Sequence, residues 1–284
     1  MENYHDKSWE KKAQVTMLQG KGPLLGADIM TPEAFAKMDE LLGRFHSIEV
    51  KTASGTSFST EDLCARGSMP DYPGNPEMCA AWQATNMTDA SLMMACFPSP
   101  VFPCLTVGPF HCFSEYFQHL PASYKPLDPD IAQILPPSMV GRPYTGRPSY
   151  KSMSPAQMKE QASKKSAVTG LRGCEWWTGS ATFQPDLWSG GLEWMRVNGS
   201  RVITKVPAIR WTLFYDAVPR IKFRTDLTRP NVSEAEIREA QRLHDRAWQA
   251  EVEAFASQSD DLEVLNFGPS TVDDLEEELS LIHI

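Results

Sequence analysis

Six cysteines, Cys64, Cys79, Cys96, Cys104, Cys112 and Cys174, are the residues whose type and spacing most constrain the chemistry of this chain. A thiol can serve as a nucleophile, a metal ligand or half of a disulfide. Structural zinc sites use a close cysteine pair, because a short knuckle must aim two thiolates at one ion. Here no two cysteines stand closer than eight positions, so a metal site is not expected. An even number suits three bridges, and the spacing leaves many pairings open. Three Asn-x-Ser/Thr sequons accompany the cysteines: Asn86-Met-Thr88, Asn198-Gly-Ser200 and Asn231-Val-Ser233. Each sits beside an expected turn or helix start, where a glycan would be solvated. Thiols and sequons together favour an oxidising environment on the secretory side of a membrane.

Other reactive residue types do not form catalytic constellations. The chain carries no Gly-x-Ser-x-Gly elbow, His-Glu-x-x-His pair, P-loop or dinucleotide fingerprint. The paired acids Asp128/Asp130 and Asp273/Asp274 fall in loop or helix-start contexts, where solvation or capping accounts for them. No catalytic residue, cofactor or metal is expected. Trp176, Trp177, Phe183, Trp188 and Trp194 form an aromatic-rich stretch best read as packing. As the alternative, Trp176, Trp177 and Trp188 offer a partner surface, which would suit a receptor ectodomain binding a secreted protein. His244, on the apolar stripe of a helix, reads as a hydrogen-bonded, partly buried histidine rather than a ligand.

Composition bounds the class. With 42% hydrophobic and 22% charged residues in 284, the chain resembles an ordinary folded protein. A net charge of −9 argues against a nucleic-acid surface. Eight acids lie between Asp260 and Glu278, beyond the last lysine or arginine, Arg246, and read as a solvated face. The charged N-terminus shows no signal-peptide core. The longest stretch without Asp, Glu, Lys or Arg, Ala90 to Ser114, holds Pro98, Pro100, Pro103 and Pro109, too many for a spanning helix. The last six residues, 279–284, look like translated sequencing adapter and are set aside from fold reasoning.

The elements that must position these residues follow from local pattern. Gln14 to Leu18 reads as a strand. Thr31-Pro32-Glu33 opens a helix whose Phe35, Met38, Leu42 and Phe45 share a face. Ile48 and Val50 alternate in a following strand. Residues 53–191 are irregular and hold every cysteine, with a short helix near Leu105 to Phe117 and an exposed Gly141 to Pro148 loop. Leu192 to Val197 and Arg201 to Val206 flank Asn198-Gly199, a hairpin signal because the turn needs positive φ. Ile209, Trp211, Leu213 and Tyr215 alternate in the next strand. Ser233 to Gln258 forms a helix with a Ser233/Glu236 capping box and a Val232–Ile237 staple. A strand at Leu262 to Phe267 and a helix from Thr271 complete the order. The pattern is α+β: a ferredoxin-like split βαβ sandwich, core 14–52 plus 192–278, with a large disulfide-stabilised, loop-rich insertion. Its connections would put both long helices on one face of the sheet.

Glu61-Asp-Leu-Cys64 and Phe102-Pro-Cys-Leu-Thr-Val-Gly-Pro-Phe-His-Cys112-Phe resemble the first large extracellular domain of Patched-like proteins. Colinear similarity includes Thr31-Pro-Glu-Ala-Phe, Gly173-Cys174, the hairpin from Leu192, the helix with Trp248, and Leu265-Asn-Phe to Leu275. That family belongs to the resistance-nodulation-division transporters, with Dispatched and the Niemann–Pick type C sterol carrier as relatives. The resemblance implies a single extracellular, porter-like domain, 1–278, between a first and a second membrane helix of a longer protein. It further implies sterol or other lipid as cargo, and a second ectodomain of the same chain as partner. Cys79 and Cys96 depart from the family pattern and are expected as an extra local pair, leaving Cys64, Cys104, Cys112 and Cys174 to pair among themselves.

Overall fold

The computed structural model describes residues 13–65, 104–119, 147–167, 169–175, 182–197 and 199–268. Cys79, Cys96, Asn86, Asn198, Trp176, Trp177, the helix expected from Thr271 and residues 279–284 lie outside them. Chain order begins with strand β1 (Ala13–Gly20), helix α1 (Pro32–His46), strands β2 (Glu49–Lys51) and β3 (Ser57–Ser59), and helix α2 (Thr60–Leu63). Then come β4 (Thr106–Val107), helix α3 (Pro155–Ala162), β5 (Cys174–Glu175), β6 (Thr182–Phe183), α4 (Pro185–Trp188) and β7 (Ser189–Gly190). Strands β8 (Glu193–Val197), β9 (Ser200–Lys205) and β10 (Ala208–Phe214), helices α5 (Val218–Thr228) and α6 (Glu234–Gln258), and β11 (Leu262–Phe267) follow.

The main sheet has the order β11-β1-β10-β4, with every neighbouring pair antiparallel, and β7 adds at one end of β10. Strand β1 buries alternate residues, Gln14, Thr16, Leu18 and Gly20, as the two-residue period of a strand requires. In register, Thr16 lies between Asn266 of β11 and Trp211 of β10, so one row of side chains runs across three strands. Both long helices lie on this face. Phe45 of α1 meets Trp211 edge-on at 4.9 Å and Trp248 of α6 edge-on at 4.9 Å; the two indoles meet at 5.5 Å. On the opposite face Val15, Met17 and Leu265 are half-buried and Phe267 is exposed.

Local chemistry explains where the two helices begin. Thr31 caps α1 by accepting a hydrogen bond from the Ala34 amide at 3.2 Å, and Pro32 supplies a pre-set first turn. Ser233 and Glu236 form the expected capping box on α6, and Val232 and Ile237 are both buried as a staple. The β8–β9 hairpin turns through Gly199, whose φ of 78° belongs to the left-handed region.

Several expectations need correction. The helix near Leu105 to Phe117 is instead two 3-10 segments, Pro109–Cys112 and Glu115–His119. The strand after α1 does not join the main sheet; β2 turns back on β3 as a separate hairpin. The place beside β10 goes to β4, drawn from the stretch expected as insertion. Four helices, the short α2 and α4 and the longer α3 and α5, were not foreseen in the pattern. Strand β8 falls within the segment expected, β9 and β10 each begin and end one residue earlier than expected, and β11 has the expected ends.

Disulfides explain how so short a strand as β4 holds its position. Cys64–Cys104 joins the end of α2 to the residue two before β4. Around it, the Ala65 amide donates to Phe214 O at 2.7 Å and the Leu105 amide donates to Ala65 O at 2.6 Å. Cys112–Cys174 joins the first 3-10 segment to β5. These bridges close loops of 40 and 62 residues; constraints of that size stabilise a fold by roughly 2–4 kcal/mol each. Non-reducing peptide mapping should recover the linked pairs Cys64–Cys104 and Cys112–Cys174. Replacing Cys64 and Cys104 together by alanine should lower unfolding free energy by about 2–4 kcal/mol in urea titrations; an unchanged midpoint would contradict the assigned role of the bridge.

Candidate functional site

Two groups of polar residues stand out, one sealed inside the fold and one at its surface. The first runs across the helix-facing side of the sheet. His244 of α6 is fully buried between Tyr215, whose hydroxyl lies 2.9 Å from Nδ1, and Thr60, whose hydroxyl lies 2.7 Å from Nε2. Tyr215 donates to Gln14 Oε1 at 3.0 Å, and Gln14 Nε2 donates to Asp245 Oδ1 at 2.9 Å. A carboxylate oxygen only accepts, so Asp245 orients the whole chain. Gln14 must present its amine to Asp245 and its carbonyl to Tyr215. The tyrosine oxygen then accepts from His244 Nδ1–H, and the single Thr60 hydroxyl proton faces two acceptors, Nε2 and the Phe45 carbonyl at 2.7 Å. Burial, together with the nearby His46 ring, holds the His244 pKa down to about 3. The ring is therefore a neutral member of the core network. Next to it, Trp248 donates to Thr16 Oγ1 and Asn266 Oδ1, at 3.2 and 3.1 Å.

A histidine pair links α1 to the 3-10 segment Glu115–His119. His46 and His119 stack with rings 6.3 Å apart, and His119 Nε2 lies 2.7 Å from Asp39 Oδ1. Burial, then the adjacent His119, depresses the His46 pKa to about 4.

The surface group is a cleft of about 240 Å³ beside the Cys112–Cys174 bridge. Its wall includes His111, Arg147, Lys164, Lys165 and Glu175. Lys164 and Lys165 follow directly on the C-terminus of α3. A tight loop then doubles back: the Ser166 amide donates to Leu171 O at 2.7 Å, and the Gly173 amide donates to Lys164 O at 3.1 Å. Gly173 has φ of 137°, and a Cβ there would lie 2.2 Å from Phe183 O, so no other residue fits this approach. His111 donates from Nε2 to Thr106 O at 2.9 Å, and its ring packs 4.4 Å from Tyr116. Burial and then the Arg147 charge press the His111 pKa down to about 3, so the cleft carries its positive charge on Arg147 and the two lysines.

Among the expected site residues, four of the six cysteines form the two bridges described above. Trp188 packs as first expected: it is fully buried, with its indole donating to Phe183 O at 3.2 Å, so the alternative of a partner surface is corrected for this residue. Its neighbour Trp194 is half-buried under Arg201, 4.5 Å from the ring. Asn231 is exposed in the turn before α6 with φ of 84°, a conformation asparagine tolerates well. His244 is the satisfied histidine expected, though completely rather than partly buried. The cleft was not foreseen, because its residues come from four separated segments. The Lys164-Lys165 pair was its one visible signal.

The buried histidines set the acid response. An imidazole of pKa 6.5 when free, held near 3 or 4 in the fold, binds protons first in the unfolded chain. Stability is then complete above pH 6.5 and falls as pH drops from 6.5 towards 4. Replacing His244 by glutamine should flatten the urea-derived stability profile across that window by up to about 1.4 kcal/mol per pH unit. An unchanged slope would mean that His244 takes up a proton inside the fold.

No protein-family model matches the chain, and no curated protein matches it.

Proposed function

We propose that this chain is an ectodomain of a Patched-like membrane transporter that handles sterols or other lipids, and that the domain itself performs no catalysis. The observation that carries this reading is the strand order β11-β1-β10-β4 with antiparallel neighbours and α1 and α6 on one face. That order is the one a ferredoxin-like split βαβ produces when two βαβ halves interleave. The chain departs from it where β4 takes the edge position that a strand directly after α1 would occupy. Pairing of Cys64, Cys104, Cys112 and Cys174 among themselves supports the same reading.

In this role the domain would be a rigid part of an extracellular shell, with a second ectodomain of the same chain completing it. The two bridges suit an oxidising compartment. Among the described residues, no helix is long and apolar enough to cross a membrane. Energy coupling in such transporters comes from charged groups within membrane helices, so transport would belong to the longer protein. A receptor for a secreted protein gains nothing from Trp188, which is enclosed.

Sequencing the complete transcript tests the proposal. The reading frame should encode an apolar helix before this domain and a bundle of them after it. A frame that closes without apolar spans on either side would overturn the reading.

A further inference from the structure

We propose that the cleft beside Cys112–Cys174 binds a small oxyanion, a phosphate or sulfate group either free or as an ester, through Arg147, Lys164 and Lys165. This inference does not depend on the transporter reading. Among the described residues, three cations line a concavity of about 240 Å³ against one acid, Glu175, on a chain whose net charge is −9. Positive charge gathered in a cleft on an acidic protein creates a local potential opposite to that of the whole surface. The volume suits a tetrahedral anion with a small substituent, and lies below the roughly 300–1,000 Å³ of drug-sized ligand sites.

The positions of the cations are built rather than incidental. The carbonyl end of α3 favours a nearby cation, and Lys164 stands just past the Ser163 C-cap. That helix end does not account for Arg147, which a separate segment brings to the same wall. Arg147 follows from the fold of that segment: the Ser114 amide donates to Pro148 O at 3.1 Å. Glu115, itself buried, accepts from Ser149 and from the Tyr150 amide. Lys165 is held by its β-bridge to Arg172. An arginine fork recognises two oxygens of a tetrahedral anion, and flexible lysines then satisfy the remaining charge. Among the described residues, neither Lys164 nor Lys165 has an ion-pair partner.

Calorimetric and thermal-shift titrations with inorganic phosphate, and in a second arm sulfate, test the proposal at constant ionic strength adjusted with chloride. Saturable binding is expected. Lys164→Gln with Lys165→Gln should weaken it about tenfold, both lysines being exposed and so replaceable without unfolding. Glu175→Gln should tighten it about threefold by removing the opposing charge, a gain that general damage would not mimic. Lys51→Gln with Arg220→Gln removes the same charge from β2 and α5, which do not line the cleft, and should leave the affinity unchanged. Sulfate is a full dianion at neutral pH and carries no proton, so tighter binding of phosphate supports a site that uses the phosphate hydroxyl as a donor, and equal binding supports recognition of charge alone. Absence of saturable binding by both anions, or an equal loss in the Lys51/Arg220 variant, would overturn the proposal.

Discussion

Phe45 stands where helix α1, strand β10 and helix α6 converge, and the arrangement of the remaining core depends on that meeting. Its ring is fully enclosed, with Trp211, Trp248 and His244 each edge-on to it. Edge-to-face contacts of aromatic rings are directional, so three at once fix the orientation of both helices against the sheet. The geometry also carries a cost. Two indoles and an imidazole brought inside must find partners for their polar atoms, because an unmet buried donor costs about 1–3 kcal/mol.

The polar chain through Gln14, Thr60, Tyr215, His244 and Asp245 answers that demand for the imidazole, Thr16 and Asn266 answer it for the Trp248 indole, and the buried Trp211 Nε1 finds no hydrogen-bond partner among the described residues. Every link crosses between separate elements: Gln14 of β1 to Asp245 of α6, Thr60 of α2 to His244 of α6, and Tyr215, just after β10, to both Gln14 and His244. Such a chain stabilises the correct strand register as well as the core, since a slip of one residue would turn Gln14 and Thr16 to the opposite face. Histidines in this setting act as neutral hydrogen-bonding groups. The titratable histidines of the sequence are thus absorbed into packing at its centre, while Arg147, Lys164 and Lys165 gather at the cleft.

The disulfides extend the core into irregular chain. Cys64–Cys104 brings β4 to the sheet edge, and Cys112–Cys174 brings β5 against the 3-10 segment that carries His111. With the carboxylate of Glu115 binding the turn at Tyr150, these links give defined positions to segments with little regular structure of their own. The cleft exists because of them: its walls are the irregular segments, held by covalent bonds and a few buried polar contacts.

Features governed by nearest neighbours were legible in the sequence. The Ser233/Glu236 box and the Thr31-Pro32 cap mark helix starts through side chains that reach their own backbone, and Gly199 marks a turn through its own φ. The alternation in β11 records one buried face, and the apolar alternation in β10 marks its helix-facing side, although Ala208 and Thr212 are buried on the other. Helix α3 carried the same kind of signal, Ser154 and Gln157 around Pro155, and was readable in principle. Helix α5 was not, since Ala217 at its start supplies no side-chain cap. The tertiary structure decided the rest: which cysteines pair, that β2 folds onto β3 while two residues of β4 take the sheet edge, and that Arg147 joins Lys164 and Lys165. Those outcomes depend on closing loops of tens of residues against burial elsewhere in the fold, a free-energy balance that no local stretch of sequence contains.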